Sequence, residues 1–162
     1  MSYKMAKYAA TTSVSSSKSR DEIERTLTKY GADSFMYAWE GMIAVIGFRI
    51  KGKMVRLKIE MPDKDSNEFK FTPAQKQRRS PAAQEKEWEQ ASRQKWRALA
   101  LVVKAKLEAV ESEITTFEEE FMAHILLPNG QTAGEYVLPQ IEEAYELGTM
   151  PGMLPMLEEH KD

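Results

Sequence analysis

Between residues 80 and 110 the chain has one proline, at Pro81, and no glycine, and this uninterrupted stretch constrains the fold more than any other feature. Ser80 suits an N-cap, and Pro81 suits the first helical position, where a missing N–H costs nothing. Ala, Glu, Gln, Lys, Arg and Leu dominate the next thirty or so positions, and all favour helix. Trp88, Ala91, Trp96, Leu99, Val103, Leu107 and Val110 recur at three-to-four-residue spacing, which predicts one apolar stripe. Some thirty residues at 1.5 Å each make a rod roughly 45 Å long. In a small domain such a rod is the spine of the core or an arm for dimerisation, so a homo-oligomer through the long helix is one expectation. Lys86, Arg93, Lys95, Arg97, Lys104 and Lys106 decorate it, as a solvated face or as a phosphate-contacting one.

Upstream, residues 34–61 read as three strands. Phe35, Tyr37 and Trp39 alternate in the first, and Glu40-Gly41 turns the chain. Ala44, Ile46, Phe48 and Ile50 share one face of the second strand. After a tight turn at Lys51-Gly52, Val55, Leu57, Ile59 and Met61 share one face of the third. Arg49, Arg56, Lys58 and Glu60 fall on the other side, the alternation of an antiparallel sheet with one packed and one wet face. Residues 19–30 predict a short helix, with Ser19 and Glu22 at capping-box spacing, Ile23, Leu27 and Tyr30 on one face, and Gly31 as a stop.

Residues 62–80 form a polar loop without apolar periodicity, expected to be exposed and mobile. Beyond the long helix, Thr116 with Glu119 and Thr132 with Glu135 predict two more capped helices. Phe117, Phe121 and Ile125 would face inward from the first, and Val137, Ile141 and Tyr145 from the second. Pro128-Asn129-Gly130 is the turn between them, Pro139 would kink or split the second, and Gly148 would close it. The expected fold is therefore α+β: an N-terminal helix, a three-stranded antiparallel sheet, a long central helix, then two shorter C-terminal helices. One domain spans 19–148, between a flexible tail at 1–18 and an irregular tail at 149–162.

The net charge of −2 conceals a strong polarity. Residues 1–106 carry 22 Lys and Arg against 12 Asp and Glu, whereas residues 107–162 carry 1 against 13. Such a basic front and acidic back suit internal docking, head-to-tail association, or two partners of opposite sign. The absence of cysteine rules out disulfides and thiolate metal sites. No apolar run approaches a membrane span or a secretory leader, so a soluble protein of a reducing cytoplasm is expected.

Several resemblances bear on function. The α-β-β-β-α order of the first part resembles double-stranded-RNA-binding domains at the level of fold, although Gln75-Lys76-Gln77-Arg78-Arg79-Ser80 departs from their Lys-Lys-x-Ala-Lys pattern. The segments "KSRDEIERTLTKYGADSFMYAWEG", "RQKWRALALVVKAKLEAVESEITTFEEEFMAHILLPNGQT" and "PQIEEAYELGTMPGMLP" resemble a small family of hypothetical proteins of tailed phages and prophages. That resemblance implies a phage origin and a role in the host cytoplasm. It brings no catalytic residues with it.

Catalytic signatures are weak. His124 and His160, far apart and without cysteine, make a poor metal or nucleophile set. Pro62-Asp63 followed by Glu68-Phe69-Lys70 matches a nuclease string, yet four intervening residues hardly supply the two strands that such a site needs. Glu118, Glu119 and Glu120, with Glu142 and Glu143, could do acid–base work but read more simply as solvated helix faces. No cofactor is expected.

Two function classes remain. In the first, a non-enzymatic accessory protein binds nucleic acid or a nucleoprotein through Arg49, Arg56, Lys58, Lys76, Arg78, Arg79, Arg93 and Arg97, with Tyr37, Trp39, Phe69 and Phe71 nearby to meet unstacked bases. In the second, a protein-binding inhibitor or adaptor, such as a factor against host defence, meets a host protein through Glu118, Glu119, Glu120, Glu142 and Glu143.

Overall fold

A computed structural model describes residues 17–150 of the chain. Of the tails expected at 1–18 and 149–162, residues 1–16 and 151–162, with His160, lie outside the described residues, and residues 17 and 18 are helical. Helix α1 covers residues 17–29 and is already under way at Ser17, so Ser19 is inside the helix and not its N-cap. Ile23 and Leu27 are buried, and Gly31, at φ 96, ends the turn in a conformation that suits glycine. The Tyr30 hydroxyl donates to the Glu108 carboxylate, which raises its pKa.

Strands β1 (Ser34–Glu40), β2 (Ile43–Ile50) and β3 (Lys53–Glu60) form an antiparallel sheet in sequence order. Lys51 and Gly52 both have positive φ, 50 and 76, as a two-residue hairpin turn of matching twist requires. The register sets Phe35 opposite Phe48 and Phe48 opposite Val55, then Tyr37 opposite Ile46 and Ile46 opposite Leu57. These pairs make the packed face. Arg49, Arg56 and Lys58 are on the other face, as the alternation predicts.

Residues 62–80 are more built than their composition suggests. They contain a one-turn helix, α2 (Asn67–Lys70), whose Phe69 is buried, and a bridge between Phe71 and Arg78. The loop is sewn to the long helix α3 (Pro81–Glu111) by its backbone. Trp88 Nε1 donates to the Pro62 carbonyl at 2.8 Å, and Gln84 Nε2 donates to the Lys64 carbonyl at 2.8 Å. A polar residue thus occupies the buried stripe of α3 because it satisfies a loop carbonyl.

The expected cap is present: Ser80 Oγ accepts from the Ala83 N–H. The buried stripe is Gln84, Trp88, Ser92, Trp96, Ala100, Val103 and Leu107, while Leu99 and Val110 are half-buried against the core and Ala91 is at its margin. Ser92 Oγ and Trp96 Nε1 are buried with no hydrogen-bond partner among the described residues. Trp96 meets Tyr37 edge-on with centroids 5.6 Å apart.

Two shorter helices come next, α4 (Phe117–Phe121) and α5 (Ala133–Leu147), and both predicted capping boxes are formed. Phe121 packs edge-on against Phe48 at 5.7 Å, a geometry worth about 0.5–1.5 kcal/mol beyond area burial. After α4 the chain makes a 3-10 turn, Met122–His124. Ile125 does not continue the helix, contrary to its spacing. It pairs instead with Val55, and Leu126 N–H donates to the Met54 carbonyl, so this segment covers the outer edge of β3. Helix α5 runs through Pro139 unbroken and ends at Gly148, which is left-handed.

The result is layered. Helices α1, α3 and α4 supply Ile23, Leu27, Trp96, Val103, Leu107, Phe117 and Phe121 to one core with the inner sheet face. Helix α5 attaches on the opposite side, where Glu135 meets the outer-face residues Arg56 and Lys58. Among the described residues no helix is long and apolar enough to cross a membrane.

Candidate functional site

The eight cations expected to form the basic front, on the sheet face, the loop and the long helix, are divided by the sheet. Arg49, Arg56 and Lys58 stand on its outer face, away from α3, and each is ion-paired. Arg49 Nε is 2.7 Å from Asp33. Arg56 and Lys58 each approach one oxygen of Glu135 at 2.7 Å, and Arg56 also donates to the Gly130 carbonyl. The hydrogen bond from Lys58, then that from the Thr132 backbone N–H, and then the charge of Arg56 hold the Glu135 carboxyl down at about 2.

The loop cations have separate roles. Arg79 Nη1 donates to the carbonyls of Glu68, Phe69 and Phe71 at 2.8, 3.2 and 2.8 Å, and its backbone N–H donates to the Lys70 carbonyl. A cation at the end of α2 thus closes the loop on itself. Lys76 and Arg78 remain exposed. The Arg78 guanidinium lies over the Phe71 ring at 5.6 Å. Beside them runs an open groove of about 520 Å3, lined by Asn67, Glu68, Phe71, Thr72, Pro73 and Lys76. On α3, Arg93 is 4.0 Å from Glu89 and Arg97 is exposed.

Of the four aromatics expected near the cations, Phe71 alone adjoins the loop pair as an exposed ring. Phe69 is buried, and Tyr37 and Trp39 belong to the inner-facing register of β1. Sequence spacing could not show this, because the Phe71–Arg78 bridge depends on how the loop closes. Polarity alone concealed Asn67, Thr72 and Pro73 as groove residues.

The acidic set is divided as well. Glu118 pairs with Lys53 at 2.9 Å, which lowers its pKa; Glu119 closes the capping box on Thr116; Glu120 pairs with Lys106 at 3.0 Å. Glu142 and Glu143 are exposed on α5 and make no ion pair among the described residues. Ile141 and Tyr145, expected inward, point outward instead, with Tyr145 87% exposed. The face of α5 turned to the body consists of Ala133, Val137, Gln140 and Ala144, all half-buried.

The chemistry-bearing residues do not converge. Asp63 caps its own turn by accepting from the Asp65 N–H, and Glu68 and Lys70 sit on α2, so the nuclease-like string is in a loop and a helical turn and not on neighbouring strands. Among the described residues no group of three or more His, Asp or Glu could hold a metal ion. His124 is half-buried in the 3-10 turn, its pKa lowered by burial and then by Lys106. Comparison with protein-family models, with curated proteins and with solved structures returns no match.

Proposed function

We propose that this is a non-enzymatic nucleic-acid-binding accessory protein of phage or prophage origin, acting in the host cytoplasm, and that its contact point is the groove of the 62–80 loop. One observation carries the reading: an exposed aromatic ring, Phe71, lies under the Arg78 guanidinium beside a groove whose lip is Lys76. Cations contact phosphates, and a ring with an open face stacks an unpaired base. Arg49, Arg56 and Lys58 drop out of this site because carboxylates already neutralise them. Arg79 drops out because it holds the loop together.

The test is a titration of single-stranded and duplex oligonucleotides at several salt concentrations. The variant carrying Lys76→Ala and Arg78→Ala should fold as wild type and flatten the dependence of log K on log salt by about 1.4 for single strands, at roughly 0.7 per lost contact. Wild-type protein that binds no oligonucleotide at low salt would end this reading.

A second reading is supported by α5. Glu142 stands one turn from Leu138, which is 56% exposed, Glu143 is exposed further round the same helix, and an acidic helix with open apolar residues suits a protein-binding inhibitor or adaptor. Because Glu118, Glu119 and Glu120 are engaged within the chain, α5 carries that reading alone.

A further inference from the structure

Two helices leave an apolar stripe open to solvent. On α3 the stripe is Ala98, Leu101, Val102 and Ala105, with Leu101 62% and Val102 48% exposed. At 100° per residue it lies on the side of the helix opposite Trp96, Ala100, Val103 and Leu107, so the core cannot use it. On α5 the stripe is Leu138, Ile141 and Tyr145, 56%, 37% and 87% exposed. Each stripe spans one heptad, about 10 Å of helix.

The rims have opposite sign. Arg97 and Lys104, seven residues apart, run along one side of the α3 stripe, and Glu142 and Glu146 run along one side of the α5 stripe. The surfaces also differ in relief: two alanines flank the α3 residues and leave room for the larger side chains of α5. Within one chain the two stripes cannot meet, because α3 packs on the inner face of the sheet and α5 is tied to the outer face.

We propose that the α5 stripe of one copy docks on the α3 stripe of a second copy, with Glu142 and Glu146 opposite Arg97 and Lys104. Used reciprocally by two chains, the contact closes a dimer; used once per chain, it propagates head to tail. Either way the front-to-back charge polarity of the chain acts as the orienting element. The inference is independent of the loop groove, which neither stripe includes.

Sedimentation velocity on the full chain tests it. Wild type should sediment above the monomer mass and dissociate as salt rises. Leu101→Glu and Ile141→Glu should each be monomeric and still unfold cooperatively, since both positions are exposed. Mixed one to one, the two variants should form a dimer, because each retains the stripe that the other has lost. Arg97→Glu with Lys104→Glu should dissociate the assembly, and adding Glu142→Lys with Glu146→Lys in the same chain should restore it. A monomeric wild type would overturn the proposal and leave the α5 stripe to a foreign protein. A mixture that stays monomeric, or charge reversal without rescue, would also overturn it.

Discussion

The Lys58 ammonium lies 2.7 Å from the Glu135 carboxylate, joining β3 to α5 across 77 residues of chain. Arg56, two residues back on the same strand face, takes the other oxygen at the same distance. Glu135 is also the third residue of α5 and accepts the Thr132 N–H at 2.8 Å. One carboxylate therefore starts a helix and fastens it to the sheet.

This arrangement predicts an acid-sensitive step. Glu135 titrates at about 2 in the folded chain against an ordinary 4.5, so its contribution to stability is complete above pH 4.5 and is lost as pH falls towards 2. Glu118 and Glu119, also lowered, act in the same sense. Thermal unfolding followed from neutral pH to pH 2 should show Glu135→Gln below wild type at neutrality, with the gap closing across that window. Parallel curves for the two proteins would contradict the assignment.

Gly134 is a position where helix propensity and packing conflict. Alanine would favour the helix by about 1 kcal/mol. Its Cβ, however, would stand 2.8 Å from the Ala123 carbonyl oxygen, a backbone atom that cannot swing aside. Overpacking of this kind typically costs about 1–3 kcal/mol, so Gly134→Ala should be net destabilising. A raised melting temperature would mean that α5 does not approach the 3-10 turn this closely.

Ser92 offers the opposite case. Its hydroxyl is buried on α3 without a partner among the described residues. Removing an unsatisfied hydroxyl relieves a desolvation cost, and alanine is the better helix former. Ser92→Ala should stabilise the protein by about 1 kcal/mol, a melting increase of a few degrees. A clear loss of stability would reveal a hydrogen bond at that site.

Arg79 makes a kinetic prediction. Loss of its three carbonyl contacts in Arg79→Gln should open the loop and speed trypsin cleavage after Lys76 and Arg78, while the core, which lacks this residue, keeps its melting temperature. Unchanged cleavage rates would show that the Phe71–Arg78 bridge holds the loop without help.

Legibility in the sequence depended on the range of the interaction. The strand faces, the cap at Ser80, and the capping boxes at Thr116 and Thr132 depend on spacings of two to four residues and were readable, whereas the same spacing misplaced a cap at Ser19, where α1 is already helical. The stripe of α3 was readable at Trp88, Trp96, Val103 and Leu107, but it omitted the buried Ala100 and the polar Gln84 and Ser92, and it included Ala91, which is only half-buried. For Gln84 the reason is the Lys64 carbonyl, which belongs to a loop of no periodicity. The outward turn of Ile141 and Tyr145 was not readable either, since a 3.6-residue period marks a stripe but not what lies opposite it. The basic set was visible as composition, but which cations are neutralised depends on Glu135 and Asp33, far away in sequence or on another element.

The fastening of α5 has a mechanical consequence. Glu135 and the close approach of Gly134 lie in the first turn, while Tyr145 and Leu147, at the other end, are exposed. The helix is a lever whose polar fastening lies at its base and whose tip presents Tyr145 and Leu147 to solvent. Over the twelve residues from Glu135 to Leu147, about 18 Å at 1.5 Å per residue, a tilt too small to strain the fastening displaces the tip by several times the movement at the base. A partner that grips Tyr145 therefore has leverage on Lys58 and Arg56, and through them on the edge strand of the sheet.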